Sequence, residues 1–232
     1  MEAIMSVSVT WLGHGAFALQ IGGYDVLLDP FLTGNPAASA DPGSLPADFI
    51  LVSHGHGDHV GDTAAIAKRT GAKIITNNEI AIWFRGQGFD AHGQHIGGGH
   101  QHPFGYVKLT IAHHGSGLPD GSYGGNPAGF LIKTVDGPTL YFACDTALFY
   151  EMKFYGEEGI DAAFLPIGDN FTMGPDDALK AVKLIEPKVV VPVHFNTWGL
   201  IEQDGAAWVK RVNEETNTKG VLLSPGETLE VG

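Results

Sequence analysis

Six consecutive positions, His54-Gly55-His56-Gly57-Asp58-His59, hold three histidines and one aspartate. They come directly after the apolar run Phe49 to Ser53. Neutral imidazole and carboxylate are the donors that bind zinc and other mid-row divalent ions. Histidines that merely face solvent occur singly or in tags, whereas this group is internal and spaced by glycines. The chemistry implied is metal binding. A bound metal can lower the pKa of a water or polarise a substrate oxygen.

Residues of the same type recur just past other strand-like runs. His113 and His114 follow Val107 to Ala112, Asp145 follows Tyr141 to Ala143, and His194 follows Val189 to Val193. Strand ends at one edge of a sandwich can converge on a single site. One four-coordinate ion would not use His54, His56, Asp58, His59, His114, Asp145 and His194 together, so two divalent ions are expected. Zinc is the default for such donors, with manganese, iron, cobalt and nickel as alternatives. Side chains alternate along a strand, so only one of His113 and His114 is expected to reach a metal.

The elements that must position these residues can be read from apolar runs and turn residues. Strands are expected at Val7 to Trp11, Ala16 to Ile21, Tyr24 to Leu28, Phe49 to Ser53 and Lys73 to Thr76. Further strands are expected at Val107 to Ala112, Gly129 to Val135, Thr139 to Ala143, Ala162 to Pro166 and Lys188 to Val193, and at the end at Val221 to Leu223 and Thr228 to Val231. Gly22-Gly23 reads as a hairpin turn between two of them. Helices are expected at Asp62 to Arg69, Glu79 to Arg85, Pro175 to Ile185 and Glu202 to Asn213, with proline favoured at a helix start. Thr33 to Pro46 reads as a surface loop or lid. The pattern predicts an α/β sandwich, one domain over residues 1–232.

Composition narrows the function. The formal net charge of −13 disfavours nucleic acid and anionic membrane as partners. No apolar window is long enough for a spanning helix, and Met1 to Val9 lacks the pattern of a signal peptide. The one cysteine, Cys144, allows no intrachain disulfide and fits a reducing cytoplasm. The partner expected is a small-molecule substrate; homo-oligomers are common among soluble enzymes.

His-x-His-x-Asp-His at His54 to His59, followed by a later His, Asp and His in that order, resembles the metallo-β-lactamase superfamily. The resemblance implies a four-layer αββα sandwich with a dinuclear metal site at one edge. It implies His54, His56 and His114 on one metal, Asp58, His59 and His194 on the other, and Asp145 bridging. Thr10 to His14, Leu28-Asp29-Pro30, Phe164 to Pro175 and Val191 to Thr197 look like its branch of small metal-dependent hydrolases similar to ascorbate-6-phosphate lactonase. That branch usually has Ala-x-His-Ser-Ser where this chain has Ala112-His113-His114-Gly115-Ser116, and the register with Ala112 favours His114. It usually has glycine where this chain has Cys144. If Asp145 faces the metals, Cys144 should face the core.

The expected activity is hydrolysis of a small ester, lactone or phosphoester by a water activated between two metals. Asp58 would orient that water or accept its proton. His14 or Asn170 would assist the leaving group. Asp29 would hold a metal-ligating imidazole from behind, fixing its tautomer. Asp169 and Asn196 are candidates for substrate contact or loop ordering. Two rival classes are a di-iron oxidoreductase on the same fold, which would need glutamate where His56 stands, and a non-catalytic metal-binding or sensing module. His92, His95, His100 and His102 form a second histidine-rich stretch, read as a glycine-rich loop or turn, with a third metal site as the alternative.

Overall fold

All four side chains of Phe49–Val52 are buried. Phe49 and Leu51 join one core cluster, whereas Ile50 and Val52 join another. Alternation along the strand thus feeds two layers, one on each face. The computed structural model describes residues 7–232 and shows these layers throughout.

The first sheet contains β1 (Val7–Gly13), β2 (Ala16–Ile21), β3 (Tyr24–Leu28), β4 (Phe49–Val52), β5 (Lys73–Asn77) and β6 (Ala91–Gln94). The second contains β7 (Gly99–His102), β8 (Gly105–Ile111), β9 (Ala128–Thr134), β10 (Thr139–Phe142), β11 (Ala162–Pro166), β12 (Val189–Val193) and β13 (Lys219–Gly220). The last strand, β14 (Thr228–Val231), returns to the first sheet. The orders are β14-β1-β2-β3-β4-β5-β6 and β13-β12-β11-β10-β9-β8-β7. Inner faces interlock through aromatics: Phe17 of β2 lies 5.1 Å from Phe142 and 5.0 Å from Phe164, centroid to centroid.

Helices cover the outer faces. Among them, α1 (Gly57–Val60) is a single turn inside the histidine cluster. On the first sheet, α2 (Thr63–Thr70) and α3 (Asn78–Gly86) bury Ile66, Ala67, Ile80, Ala81 and Phe84 against Ile50, Val52 and Ile74. On the second, α4 (Met152–Gly156), α5 (Pro175–Ile185) and α6 (Gly205–Glu215) bury Met152, Leu179, Val182 and Trp208. Pro175 occupies the first turn of α5, where its missing N–H costs nothing. The result is the α/β sandwich expected.

Strand direction is what builds the site. β1 runs antiparallel to β2, and β2 to β3, so β1 and β3 point the same way; β4 is parallel to β3. By the same logic β8 points the same way as β10, and β11 and β12 are parallel to β10. Every strand that precedes a candidate metal ligand therefore ends at the same edge of its sheet. The two edges are tied together: His194 N–H, after β12, donates to the His14 carbonyl, after β1, at 3.1 Å.

Three expectations need correction. The strand predicted at Val221 to Leu223 is only the two-residue β13, Lys219–Gly220, just before it. The final helix starts at Gly205, because the Asp204 side chain accepts the Ala207 N–H at 2.9 Å and caps it there. The stretch from His92 to His102 is not a loop: it supplies β6 and β7, each at the end of its sheet. Thr33 to Pro46 is irregular, as expected, and Arg69 donates to the carbonyls of Pro42 and Leu45 within it.

Candidate metal centre

Four strand ends turn sharply at the shared edge. His14, Asp29, Cys144 and His194, each just past β1, β3, β10 and β12, have φ of 55°, 44°, 53° and 54°. Left-handed backbone is uncommon for residues with a Cβ, and such positions cluster where function constrains the chain. Gly168, after β11, fits against the His194 carbonyl so closely that any Cβ would collide with it.

Asp145 sits in the middle of the imidazoles. Its Oδ2 lies 3.1 Å from His194 Nε2, 3.5 Å from His114 Nε2 and 4.0 Å from His54 Nε2. Its Oδ1 lies 3.3 Å from His59 Nε2. On one side His54, His56 and His114 bring one ring nitrogen each to within 4.8 Å of one another. On the other, His14, Asp58, His59 and His194 do the same. The structure therefore brings all seven sequence-identified metal residues together. It also separates the two neighbouring histidines: His114 joins the cluster, and the exposed His113 packs edge-on against Phe149.

The rings of His54 and His59 are held from behind, which points Nε2 of each inward. Asp29, buried, accepts the Ser53 N–H at 2.7 Å, the Ser53 hydroxyl at 2.5 Å and His59 Nδ1–H at 2.8 Å. The Ser53 proton is thus committed to Asp29, so Ser53 Oγ accepts from His54 Nδ1 at 2.9 Å. His59 is left with Nε2 turned toward Asp145, and His54 with Nε2 on the inner side, where it accepts from His56 Nδ1 at 3.0 Å and lies 4.0 Å from Asp145. This carboxylate–histidine arrangement fixes tautomer and ring orientation in metal sites.

Several of these atoms have no partner. His59 Nε2, His194 Nδ1 and His194 Nε2 are buried without a hydrogen bond among the described residues. Two of them lie close to Asp145 yet are not aligned to donate to it. Buried polar atoms are ordinarily satisfied. Converging, unaligned donors are what ligands of a shared cation look like, so the residues fit a metal.

Electrostatics agrees. Burial alone would raise Asp145, but His194 and His59 hold its carboxyl well below the usual carboxylate range. Burial would lower His59, but Asp145 and Asp29 push it well above the ordinary histidine value. The pair therefore favours positive charge between them. Burial keeps His54 and His114 neutral, the form that ligates.

His14 stands behind Asp58. Its Nε2–H donates to Asp58 Oδ2 at 3.2 Å, and its Nδ1 takes a hydrogen bond from Thr197 Oγ1 at 2.8 Å. Burial lowers its pKa to about 4, so it is neutral. Both ring nitrogens are occupied and the side chain is fully buried, so it meets Asp58 and not the cavity. Although burial works the other way, the His14 hydrogen bond and the charge of His59 hold Asp58 well below its usual range.

The remaining sequence candidates are held by local contacts of their own. Asn170 is exposed, and its N–H bonds Asp169 Oδ1. Asp169 closes its own turn to Met173. Asn196 spends its amide on Gln203, accepting from N–H and donating to C=O. Cys144 is part-buried, with its Sγ toward the Phe142 carbonyl. Burial, helped by Asp29 and Asp145, pushes its thiol up, so no thiolate forms.

A cavity of about 590 Å³ opens over the cluster. His56, Asp58, His114, Asp145 and His194 line its floor; Phe171, Trp198 and Leu200 line its wall. These three were not foreseen from the sequence. Their signal is exposure, 50%, 38% and 71%, which the sequence does not display.

A beta-lactamase superfamily domain model matches residues 24–195. The chain belongs to the metallo-β-lactamase superfamily. It is 48% identical over 230 residues to a UPF0173 metal-dependent hydrolase of Pelotomaculum thermopropionicum, covering 97% of this chain and all of that one. It is 46% identical to one from Thermus thermophilus over 97% and 99% of the two chains. Its structure is similar to Igni18, a metallo hydrolase of the archaeon Ignicoccus hospitalis, with 36% identity, a TM-score of 0.89, and 97% and 98% of the two chains covered. The fold is that of the superfamily, and the chain is a metal-dependent hydrolase.

Proposed function

We propose that the centre holds two divalent ions, zinc by donor type, and that the chain, acting as one domain in a reducing cytoplasm, hydrolyses a small ester, lactone or phosphoester. The observation that carries this reading is the position of Asp145 between two groups of imidazoles, 3.1–4.0 Å from four of them. His54, His56 and His114 would hold one ion, and Asp58, His59 and His194 the other, with Asp145 common to both. Bound there, the ions would supply a water of lowered pKa and a Lewis acid for the substrate oxygen.

The chain's own residues do the rest. Asp58 gives one carboxylate oxygen to His14 and stands at the cavity floor, 28% exposed, where it can orient a water. A carboxyl held so far below its usual range is a weak proton acceptor, which favours orientation over proton storage. His14 fixes Asp58, and Thr197 fixes His14. Phe171, Trp198 and Leu200 offer apolar contact to the part of the substrate that does not react. The volume suits a small molecule. Among the described residues no lysine or arginine lines the cavity, so a phosphate would have no side-chain cation to meet it; a neutral ester or lactone fits better. His56 in place of glutamate favours hydrolysis over di-iron redox chemistry.

The test is the zinc-reconstituted protein against activated esters, lactones and phosphodiesters. Turnover is expected, and His56→Ala and Asp145→Ala should lose bound zinc and turnover together. Full activity in either variant overturns the reading.

A further inference from the structure

His92, His100 and His102 form a cluster that shares no residue with the metal centre. His92 lies on β6, the last strand of the first sheet, and His100 and His102 lie on β7, the last strand of the second. Positions two apart on a strand share a face, which puts His100 and His102 side by side. The chain between the strands is only four residues long, so both sheets present their edges together here. Ring centroids are 4.3 Å apart for His92 and His100, 5.2 Å for His92 and His102, and 4.8 Å for His100 and His102.

One ring nitrogen from each residue falls within 4.8 Å of the other two. Two imidazoles on one tetrahedral ion, each about 2.1 Å from it, sit about 3.4 Å apart. The approach needed is a small rotation, and His100, exposed, is free to make it. His102 is the anchor. It is 5% exposed, its ring stacks on Phe104 at 5.6 Å, and its Nε2 is buried without a partner. Among the described residues nothing satisfies that nitrogen, although buried polar atoms are ordinarily paired.

We infer that His92, His100 and His102 bind a divalent ion of the zinc, nickel and copper group, with solvent completing its coordination, and that this ion clips the edges of the two sheets together. All-imidazole coordination selects against magnesium, calcium and manganese, which prefer oxygen. Burial and the neighbouring rings lower the pKa of His92 and His102, the latter to about 4, so lone pairs are available at neutral pH. Lys73 and Arg85 add positive charge nearby, and Asp90, paired with Lys73 at 3.3 Å, offsets it. The site therefore binds more weakly than the carboxylate-rich centre and should fill after it.

Zn²⁺ itself is the probe. The full chain and the variant His92→Gln with His100→Gln are dialysed to equilibrium against buffered zinc, and the metal bound in excess of the dialysate is measured. The expected result is one zinc per chain fewer in the variant. The same difference is expected in an Asp145→Ala background, where loading of the main centre is reduced, so the result does not depend on that centre. Single His100→Gln, at an exposed position, guards against misfolding and should weaken binding at least tenfold. In the wild-type chain the ring signals of His92, His100 and His102 should move together on zinc addition. Equal zinc content in wild type and double variant at every free-zinc level, or ring signals that do not move, overturns the inference.

Discussion

Asp29 Oδ2 accepts His59 Nδ1–H at 2.8 Å, and this turns His59 Nε2 toward Asp145 at 3.3 Å. The same carboxyl holds Ser53, and through it His54. One buried aspartate thus orients an imidazole from each of the two donor groups beside Asp145.

Asp29→Asn keeps the shape but replaces an acceptor of three hydrogen bonds with a group that must also donate. Loss of such a supporting partner ordinarily costs about 10–100-fold in metal affinity. We expect zinc affinity, read by competition with a chelating dye, to fall by about that factor while the fold survives. Unchanged affinity would show that the two histidines hold their orientation without it.

His14 should be neutral at neutral pH, protonated on Nε2 toward Asp58. In metal-free protein its ring signal should stay in the neutral form as pH falls through 6.5 and change only toward about 4. The sign for stability follows. Below 6.5 the unfolded chain takes up a proton that the folded chain refuses, so stability drops as pH falls, until about 4, where the folded form is protonated too. The loss over that window is at most about 3 kcal/mol. His14→Gln should remove that part of the acid sensitivity in urea titrations. Loss below 3.8 through Asp58 and Asp145, whose carboxyls are held low in the fold, is a separate window.

Cys144 has φ of 53° and no thiolate. Glycine at this position would relieve left-handed strain of about 1 kcal/mol and lose a similar amount in packing and chain entropy. Cys144→Gly should therefore keep zinc content and hydrolysis, with stability within about 1 kcal/mol of the parent. Cys144→Val, β-branched, should lose about 2 kcal/mol. Loss of turnover in the glycine variant with zinc retained would instead give the sulfur a role.

Much of the centre was legible because its signals are local. His54 to His59 lie within one strand end and one turn, and Asp145 and His194 each follow a buried strand. The continuous apolar run Phe49 to Ser53 was enough to predict a buried strand. Boundaries were harder. Asp204 caps the last helix with a side-chain hydrogen bond that its neighbours in the sequence do not announce.

Asn170 and Asn196 show the limit from the other side. Both sit close in sequence to strand ends that approach the site and take left-handed backbone, φ 51° and 59°, and neither is among the residues that line the cavity. Phe171, one residue on from Asn170, is the one that lines the cavity.

The sequence by itself determined which donor atoms exist and which strands precede them, because side-chain chemistry and period-two burial depend on neighbours along the chain. Only the tertiary structure decided that those strands end at one edge, that His114 and not His113 turns inward, and that His92 meets His100 and His102. Each of these depends on pairing between residues far apart in sequence, where strand direction and sheet order set the distances.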